Sequence, residues 1–496
     1  MHRREGLMET ATLRVVRRSD ELAPDDKRVI TRPFSAGNLR RVKTVIDRVL
    51  RLPEERVQKL LIDVMIRFSV RHRDLKAELM ERFEEVERCL EPCALLSEER
   101  KLLIGSYFMM EYSIESAALF NPSIVPHPDQ SRTPGGSVRF LMSLRATGEG
   151  HVSSIVFRQG FISATGEIRM VPTAPFAYSP EPVPDRVFER SWFVSKLRDM
   201  GVHDDLIERV ASRLEARFTR DTLYGVVEAV RTTPGTPRVF ETAAAQMLWL
   251  AESSYEVRFR PDCAASECVI FPATENEHKG MEDLRLVRFT DDDGTVHYYG
   301  TYTAYDGAQI YPMLLDTCGF RTFRVTPLGG RYACDKGMAL FPRRHNGRYL
   351  SISRHDGESL FLLSSDDIRF WNEARPLYEA TEPWEFTQIG NCGSPVETEA
   401  GWILLTHGVG AVRQYCIGVL LLDRDDPSKI IGRLREPLLI PDEAEREGYV
   451  PNVVYSCGSM IHNGQLIIPY AMSDSRTTFA EVPIADLVEM LIESGP

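Results

Sequence analysis

Residues 280–314 read GMEDLRLVRFTDDDGTVHYYGTYTAYDGAQIYPML, three or four short strands separated by turns. Residues 337–363, 390–422 and 452–482 repeat that make-up, and the earlier stretch 121–171 shares it. There, residues 138–144 and 151–157 read as neighbouring strands joined by the turn Gly148-Glu149-Gly150. Five groups at a spacing of about fifty residues have the period of propeller blades, each a meander that buries its faces only against its neighbours. Ser365-Asp366-Asp367 followed by Phe370-Trp371 fits a turn between blades closed by an aromatic. The expected fold is mainly β, a five-bladed β-propeller.

Outward from these groups the period changes. Residues 1–34 are polar, carry Pro24 and Pro33, and read as an extended arm. Residues 35–119 read as an N-terminal helical region, in which Leu39, Val42, Val45, Ile46, Val49 and Leu50 recur at helical spacing up to about Ala118. Pro53 suits the start of a second helix with Val57, Leu60, Leu61, Val64, Met65 and Phe68 on one face, and a third helix follows Ser97. The period switches to two at Asn121-Pro122, so residues 120–184 form a first propeller segment. Phe193, Leu197, Leu206, Ile207, Val210 and Leu214 mark two amphipathic helices in a helical insertion over 185–252, and 253–496 hold the remaining blades. Such stripes ordinarily mean packing, against the propeller or in a homo-oligomer.

At 496 residues the chain exceeds one compact core, and 43% hydrophobic with 27% charged residues is an ordinary folded composition. The net charge of −12 argues against nucleic acid or an anionic membrane as partner. No apolar run reaches the roughly 18 residues of a membrane span. The start Met1-His2-Arg3-Arg4 is basic, but Glu9, Arg14, Arg17 and Arg18 leave no apolar signal segment. Nine cysteines without framework spacing read as free thiols of a cytoplasmic protein; Cys89 and Cys93 have no second pair at zinc-binding distance. The eleven histidines are scattered, so no metal site is expected. A Gly-x-Ser-x-Gly elbow and a phosphate-binding P-loop are absent, and Gly148-Glu149-Gly150 lies between strands rather than between a strand and a helix.

Four polar strings fall at strand ends or in turns. In Glu282-Asp283-Leu284-Arg285, adjacent carboxylates beside an arginine are costly to bury unless paired or used, and the bland reading is an ion pair with Arg285. Lys336 and Arg354 sit on successive strands of one group, where two cations can grip an oxyanion unless Asp335, Asp356 or Glu358 neutralises them. His407 lies in Thr406-His407-Gly408, whose glycine admits a close ligand, although a turn histidine is more often solvated. Asp474 ends an apolar strand alone.

Taken in order, the strings Asn121-Pro122-Ser123-Ile124, Gly280-Met281-Glu282-Asp283-Leu284-Arg285, Lys336-Gly337-Met338-Ala339, Gly390-Asn391-Cys392-Gly393-Ser394-Pro395, Thr406-His407-Gly408-Val409 and Val450-Pro451-Asn452-Val453-Val454-Tyr455 resemble glycoside hydrolase family 130, in its long bacterial branch that includes β-1,2-oligomannan phosphorylases. The resemblance covers residues 121–480 and implies a five-bladed propeller with a central pocket. It implies inverting phosphorolysis of β-mannosides, giving α-mannose 1-phosphate. Asp283 is then the general acid, its proton passing through a mannose hydroxyl; Leu284 stands where the family often has proline. Lys336 and Arg354 would bind phosphate, with His407 and Arg285 beside them. Asn121, Arg145 and Asp474 would hold the mannosyl unit. Glu149 and His151 would line the same pocket or only cap a turn, and Arg413 and Tyr415 share that ambiguity.

An inverting hydrolase needs a second carboxylate to activate water, whereas phosphate is already an anionic nucleophile. The implied site therefore pairs one acid with a cation cluster and needs no metal or organic cofactor, only inorganic phosphate and an oligosaccharide. The competing readings are a β-mannosyltransferase using a nucleotide sugar, a β-mannosidase, and a non-catalytic sugar-binding propeller.

Overall fold

A computed structural model describes residues 13–89, 95–184 and 186–496; Cys93 and the basic start Met1 to Arg4 lie outside the described residues. The chain is mainly β. Strands Ala118–Pro126, Val138–Thr147 and Ser153–Ile162 form a first antiparallel meander. Strands Gly280–Thr290, Val296–Tyr305, Ile310–Thr317 and Thr322–Pro327 form a second, joined to the first by one parallel pair, Ser153 with Gly280. Ala339–Leu340, Tyr349–Ser353, Leu360–Ser365 and Glu373–Tyr378 make the next sheet. Gln388–Asn391, Trp402–Val409, Tyr415–Leu422 and Ile430–Arg433 follow, and Val454–Tyr455, Gln465–Met472 and Arg476–Pro483 close the series.

Each meander touches the next, and the last touches the first. Val296–Tyr305 meets Ala339–Leu340, Tyr349–Ser353 meets Gln388–Asn391, Tyr415–Leu422 meets Val454–Tyr455, and Gln465–Met472 returns to Ala118–Pro126. The return is hydrogen-bonded: Cys457 N donates to Pro122 O at 2.8 Å and Leu119 N to Ser475 O at 2.9 Å. Trp402–Val409 is buried along its whole length, which is why it reads as a near-continuous apolar run rather than an alternation.

Helices Leu39–Leu50, Glu54–Phe68, Leu75–Glu87 and Glu98–Ser106 pack around Ile46, Val49, Val57, Phe83, Leu103 and Ile104. Asn38 and Ser97 cap the first and last by accepting from Arg41 N and Arg100 N. The helical pattern ends at Ser106, earlier than Ala118, because strand Met109–Ser113 pairs with Val29–Pro33 of the arm. The arm is bound as strand elsewhere too: Val16–Arg17 lies along Arg476–Pro483. The buried Glu115 carboxylate accepts from Arg28 Nε at 2.9 Å and Arg158 Nη2 at 2.6 Å, pinning the arm to the first meander.

The insertion holds four helices, Arg190–Asp199, Asp204–Ala211, Arg220–Arg231 and Phe240–Glu252, around Phe193, Leu223, Val227, Phe240 and Met247. The sequence pattern marked only the first two. No helix among the described residues is long and apolar enough to cross a membrane.

Candidate active site

The opening strands of successive meanders converge on one cavity of about 190 Å³. Two of them carry a β-bulge where they reach it. In Ala118–Pro126 the register slips between Phe120 and Ser123, and in Gly280–Thr290 between Glu282 and Arg285. Asn121 (φ 48°) and Asp283 (φ 56°) occupy the bulges in left-handed backbone, as does Asp474 (φ 49°) after strand Gln465–Met472. Non-glycine residues adopt this conformation at a cost, and a bulge re-aims the side chain it carries. Here all three polar side chains line the cavity.

Asp283 Oδ1 accepts from Asn121 Nδ2 at 2.7 Å and from Arg145 Nη1 at 3.3 Å. Glu282 bridges two cations, taking Arg145 Nη2 at 3.0 Å and Lys336 Nζ at 2.6 Å. Arg285 is buried and contacts no side-chain carboxylate of this pair. Its guanidinium donates to Asp283 O at 3.0 Å, Asn391 Oδ1 at 3.1 Å and Tyr455 OH at 2.5 Å, so the bland ion pair expected for it is replaced by a framework role. Asp356, a potential neutraliser of Arg354, instead accepts the backbone N–H groups of Glu358 and Ser359.

Arg354 has no acidic partner among the described residues, and its Nε is buried without a hydrogen bond. Its one side-chain hydrogen bond among the described residues is Nη1 to His407 Nε2 at 3.4 Å. His407 Nδ1 lies 3.2 Å from Asn391 O, which makes Nδ1 the donor and Nε2 the acceptor facing Arg354. Burial, then Arg354 and Arg285, hold the His407 imidazole well below its usual pKa, so it is neutral. It orients a cation rather than being one. Gly390 makes room for the ring: a Cβ there would fall on it.

Burial raises the Asp283 pKa, but Arg145, Arg285, the Asn121 hydrogen bond and Lys336 outweigh it and hold the carboxyl below its usual range. Asp474 goes the other way: burial, then the Asp283 charge, push it to about 7. One acid of the cavity is thus ionised at neutral pH while another keeps a share of its proton.

Of the residues singled out from sequence, Asn121, Arg145, Asp283, Arg285, Lys336, Arg354, His407, Arg413, Tyr415 and Asp474 come together here. Glu149 and His151 do not line the cavity; both are exposed, and His151 Nδ1 is bonded to Tyr449 OH at 2.8 Å. The sequence reading gave no site role to Asn391 and Tyr455, although both stand in its quoted strings, nor to Gln388, for which no local signal exists. Among the described residues no cluster of His, Cys, Asp and Glu could hold a metal ion.

A family model described as β-1,4-mannooligosaccharide phosphorylase matches residues 242–493. A 1,2-β-oligomannan phosphorylase of Thermoanaerobacter sp. is 32% identical over 43% of this chain and 72% of its own length. A β-1,2-mannobiose phosphorylase from the same organism is 32% identical over 41% of this chain and 67% of its own. Among solved structures, β-1,2-mannobiose phosphorylase from Listeria innocua in complex with β-1,2-mannobiose aligns with 76% of this chain and 92% of its own, at 19% identity and a TM-score of 0.43.

Proposed function

The chain belongs to glycoside hydrolase family 130, the family of the β-1,4-mannooligosaccharide phosphorylase model, and on that footing we propose that it performs reversible, inverting phosphorolysis of β-mannosides, in particular β-1,2-linked manno-oligosaccharides, releasing α-mannose 1-phosphate. The observation that carries this reading is the pairing, in one small cavity, of the carboxyl of Asp283 with the guanidinium of Arg354, which has no acidic partner among the described residues. An inverting displacement with phosphate needs that combination and no second activating carboxylate.

In this mechanism a phosphate oxygen attacks the anomeric carbon as the glycosidic carbon–oxygen bond breaks on the opposite face. Arg354 and Lys336 hold the phosphate, with His407 bracing Arg354 and Arg285 fixing the backbone of Asp283. Asn121, Arg145 and Asp474 hold the mannosyl unit. The leaving oxygen takes the proton of Asp283, relayed through a mannose hydroxyl, and the proton of monohydrogen phosphate restores the acid. In the free protein the surrounding cations keep Asp283 ionised. A bound phosphate dianion offsets their field, which raises the Asp283 pKa when the acid is needed.

We read the five meanders as five blades of one propeller with the cavity near its axis; the cyclic order of their contacts supports this. Hydrolysis is the second reading, favoured by one observation: Asp474, with a pKa near 7, has the basicity to activate water.

The test is incubation with α-mannose 1-phosphate and a panel of acceptors (mannose, glucose, N-acetylglucosamine, short β-1,2-mannan), following phosphate release, with Asp283→Asn as control. Release that requires Asp283 and one acceptor supports phosphorolysis, and the product reveals the linkage. No release with any acceptor overturns it; free mannose from β-mannosides in phosphate-free buffer then identifies a hydrolase, and consumption of a nucleotide-linked mannose a transferase.

A further inference from the structure

A second cavity, of about 720 Å³, lies where the arm, the helical insertion and the first meander meet. Its walls combine aromatic faces with charged ends. Trp249 lines it as the open aromatic, leaning on Tyr311 with ring centres 5.5 Å apart, while the Phe271 ring is covered by Arg32 at 4.3 Å, which leaves the edge of the guanidinium as a donor. Arg32 and Arg220 have no acidic partner among the described residues, while Glu252 and Glu275 also line the space. Two cations facing two carboxylates suit a neutral, hydroxyl-rich ligand better than a net anion. Flat aromatic faces beside planar bidentate donors and acceptors are the groups that grip a pyranose. A third cavity, of about 360 Å³, along the insertion shares Arg220 and Glu252 with it as wall residues.

The cavity is tied by a short stretch of chain to the candidate active site. His278 lines it and precedes Asp283 by five residues, so at most about 18 Å of extended chain separates the two. The turn carrying Glu149 and His151 is hydrogen-bonded in both directions. On one side Tyr112, a cavity residue, donates its hydroxyl to Glu149 O at 2.7 Å; on the other, His151 is bonded to Tyr449, ahead of the cavity residue Val453.

We propose that this cavity is a remote subsite that holds the distal sugar units of an oligosaccharide whose reacting end lies at Asp283, and that the arm and the insertion exist in part to build it. The proposal rests on the phosphorolytic reading for the identity of the sugar. It gives the helical additions a role in chain-length preference.

The experiment compares full-length wild type with Arg220→Ala and Trp249→Ala, using a β-1,2-linked disaccharide and longer β-1,2-mannan chains. Arg220 is exposed, so its variant is expected to fold even if loss of Trp249 destabilises the insertion; melting temperatures are recorded for both. The expected result is that KM for the long chains rises about tenfold relative to KM for the disaccharide. An unchanged ratio of the two KM values in a folded Arg220→Ala protein overturns the proposal and leaves phosphorolysis standing. Equilibrium binding of the same chains to Asp283→Asn, with and without Arg220→Ala, reads the subsite independently of turnover. If wild type shows no phosphorolysis, the functional reading falls, and tighter binding of long chains that depends on Arg220 still supports the subsite. Equal binding of long and short chains overturns it.

Discussion

The side-chain amide of Asn121 donates to Asp283 Oδ1 at 2.7 Å, and both residues stand in left-handed backbone at β-bulges of neighbouring meanders. Neither contact nor conformation is available to an unbroken strand, whose side chains alternate between the two faces. The remaining amide oxygen of Asn121 is buried without a partner, and so is Arg145 Nε. Buried polar atoms are rarely left unmatched, and both residues line the cavity. Each therefore keeps hydrogen-bonding capacity that the protein itself does not use.

Asp283→Asn keeps the hydrogen bond from Asn121 within reach but has no proton to donate. Turnover should fall about 10²- to 10⁴-fold with KM for the mannoside little changed. Steady-state phosphorolysis at saturating phosphate checks this; a variant with wild-type kcat would remove Asp283 from the chemistry.

Arg354→Ala should raise KM for phosphate by about ten- to a hundredfold, since a charge-assisted hydrogen bond is worth roughly 1.5–3 kcal/mol. Arg354→Lys should recover only part of that, because an ammonium lacks the planar fork. Equal KM values for phosphate across all three proteins would contradict the assignment.

Asp474 carries a folded-state pKa of about 7, above its ordinary 3.8. Between those values the folded form holds a proton the unfolded form has lost, so stability falls as pH rises from about 4 to about 7 and is flat above. Asp474→Asn lacks this loss. Partial exposure of the carboxyl to solvent limits the effect, so the variant should gain about 1–2 kcal/mol over wild type between about pH 5 and about pH 8. Thermal melts at the two pH values measure it; parallel shifts would show that Asp474 does not titrate in that window.

Gly390→Ala drives a methyl group into the His407 ring, which stacks on Tyr415 and cannot retreat without moving Arg354. A loss of about 1–3 kcal/mol in stability is expected, together with a raised KM for phosphate. A melt unchanged from wild type would show that the ring has more room than its packing implies.

Glu115→Ala leaves Arg28 and Arg158 as buried cations without a counter-charge. The expected cost is about 3–5 kcal/mol, read from denaturant unfolding. Little loss would mean that the arm is not pinned by this triad.

Much of the mainly β architecture was legible because the groups 280–314 and 390–422 hold short apolar strands separated by turn residues. The arm was not. Val29–Pro33 forms a strand only because Met109–Ser113 lies beside it, and a backbone pair between segments distant in the chain leaves no local trace. The end of the helical region was misplaced for the same reason. Within the site, Asp283, Lys336 and Arg354 stood out as members of charged strings at strand ends or in turns. Gln388 did not, since a lone polar residue at a strand edge has no signature.

By itself, the amino-acid sequence determined the family, the mainly β class and the identity of most cavity residues, because those depend on local period and on strings of chemically distinctive side chains. Only the tertiary structure decided what each of them faces. Arg285 lies on backbone and neutral partners instead of its neighbouring carboxylates, Glu282 spans Arg145 and Lys336, and His407 is a neutral brace for Arg354. Charge state and pairing follow from distance and burial, and both are set by how separate meanders meet around one cavity rather than by the order of residues within any strand.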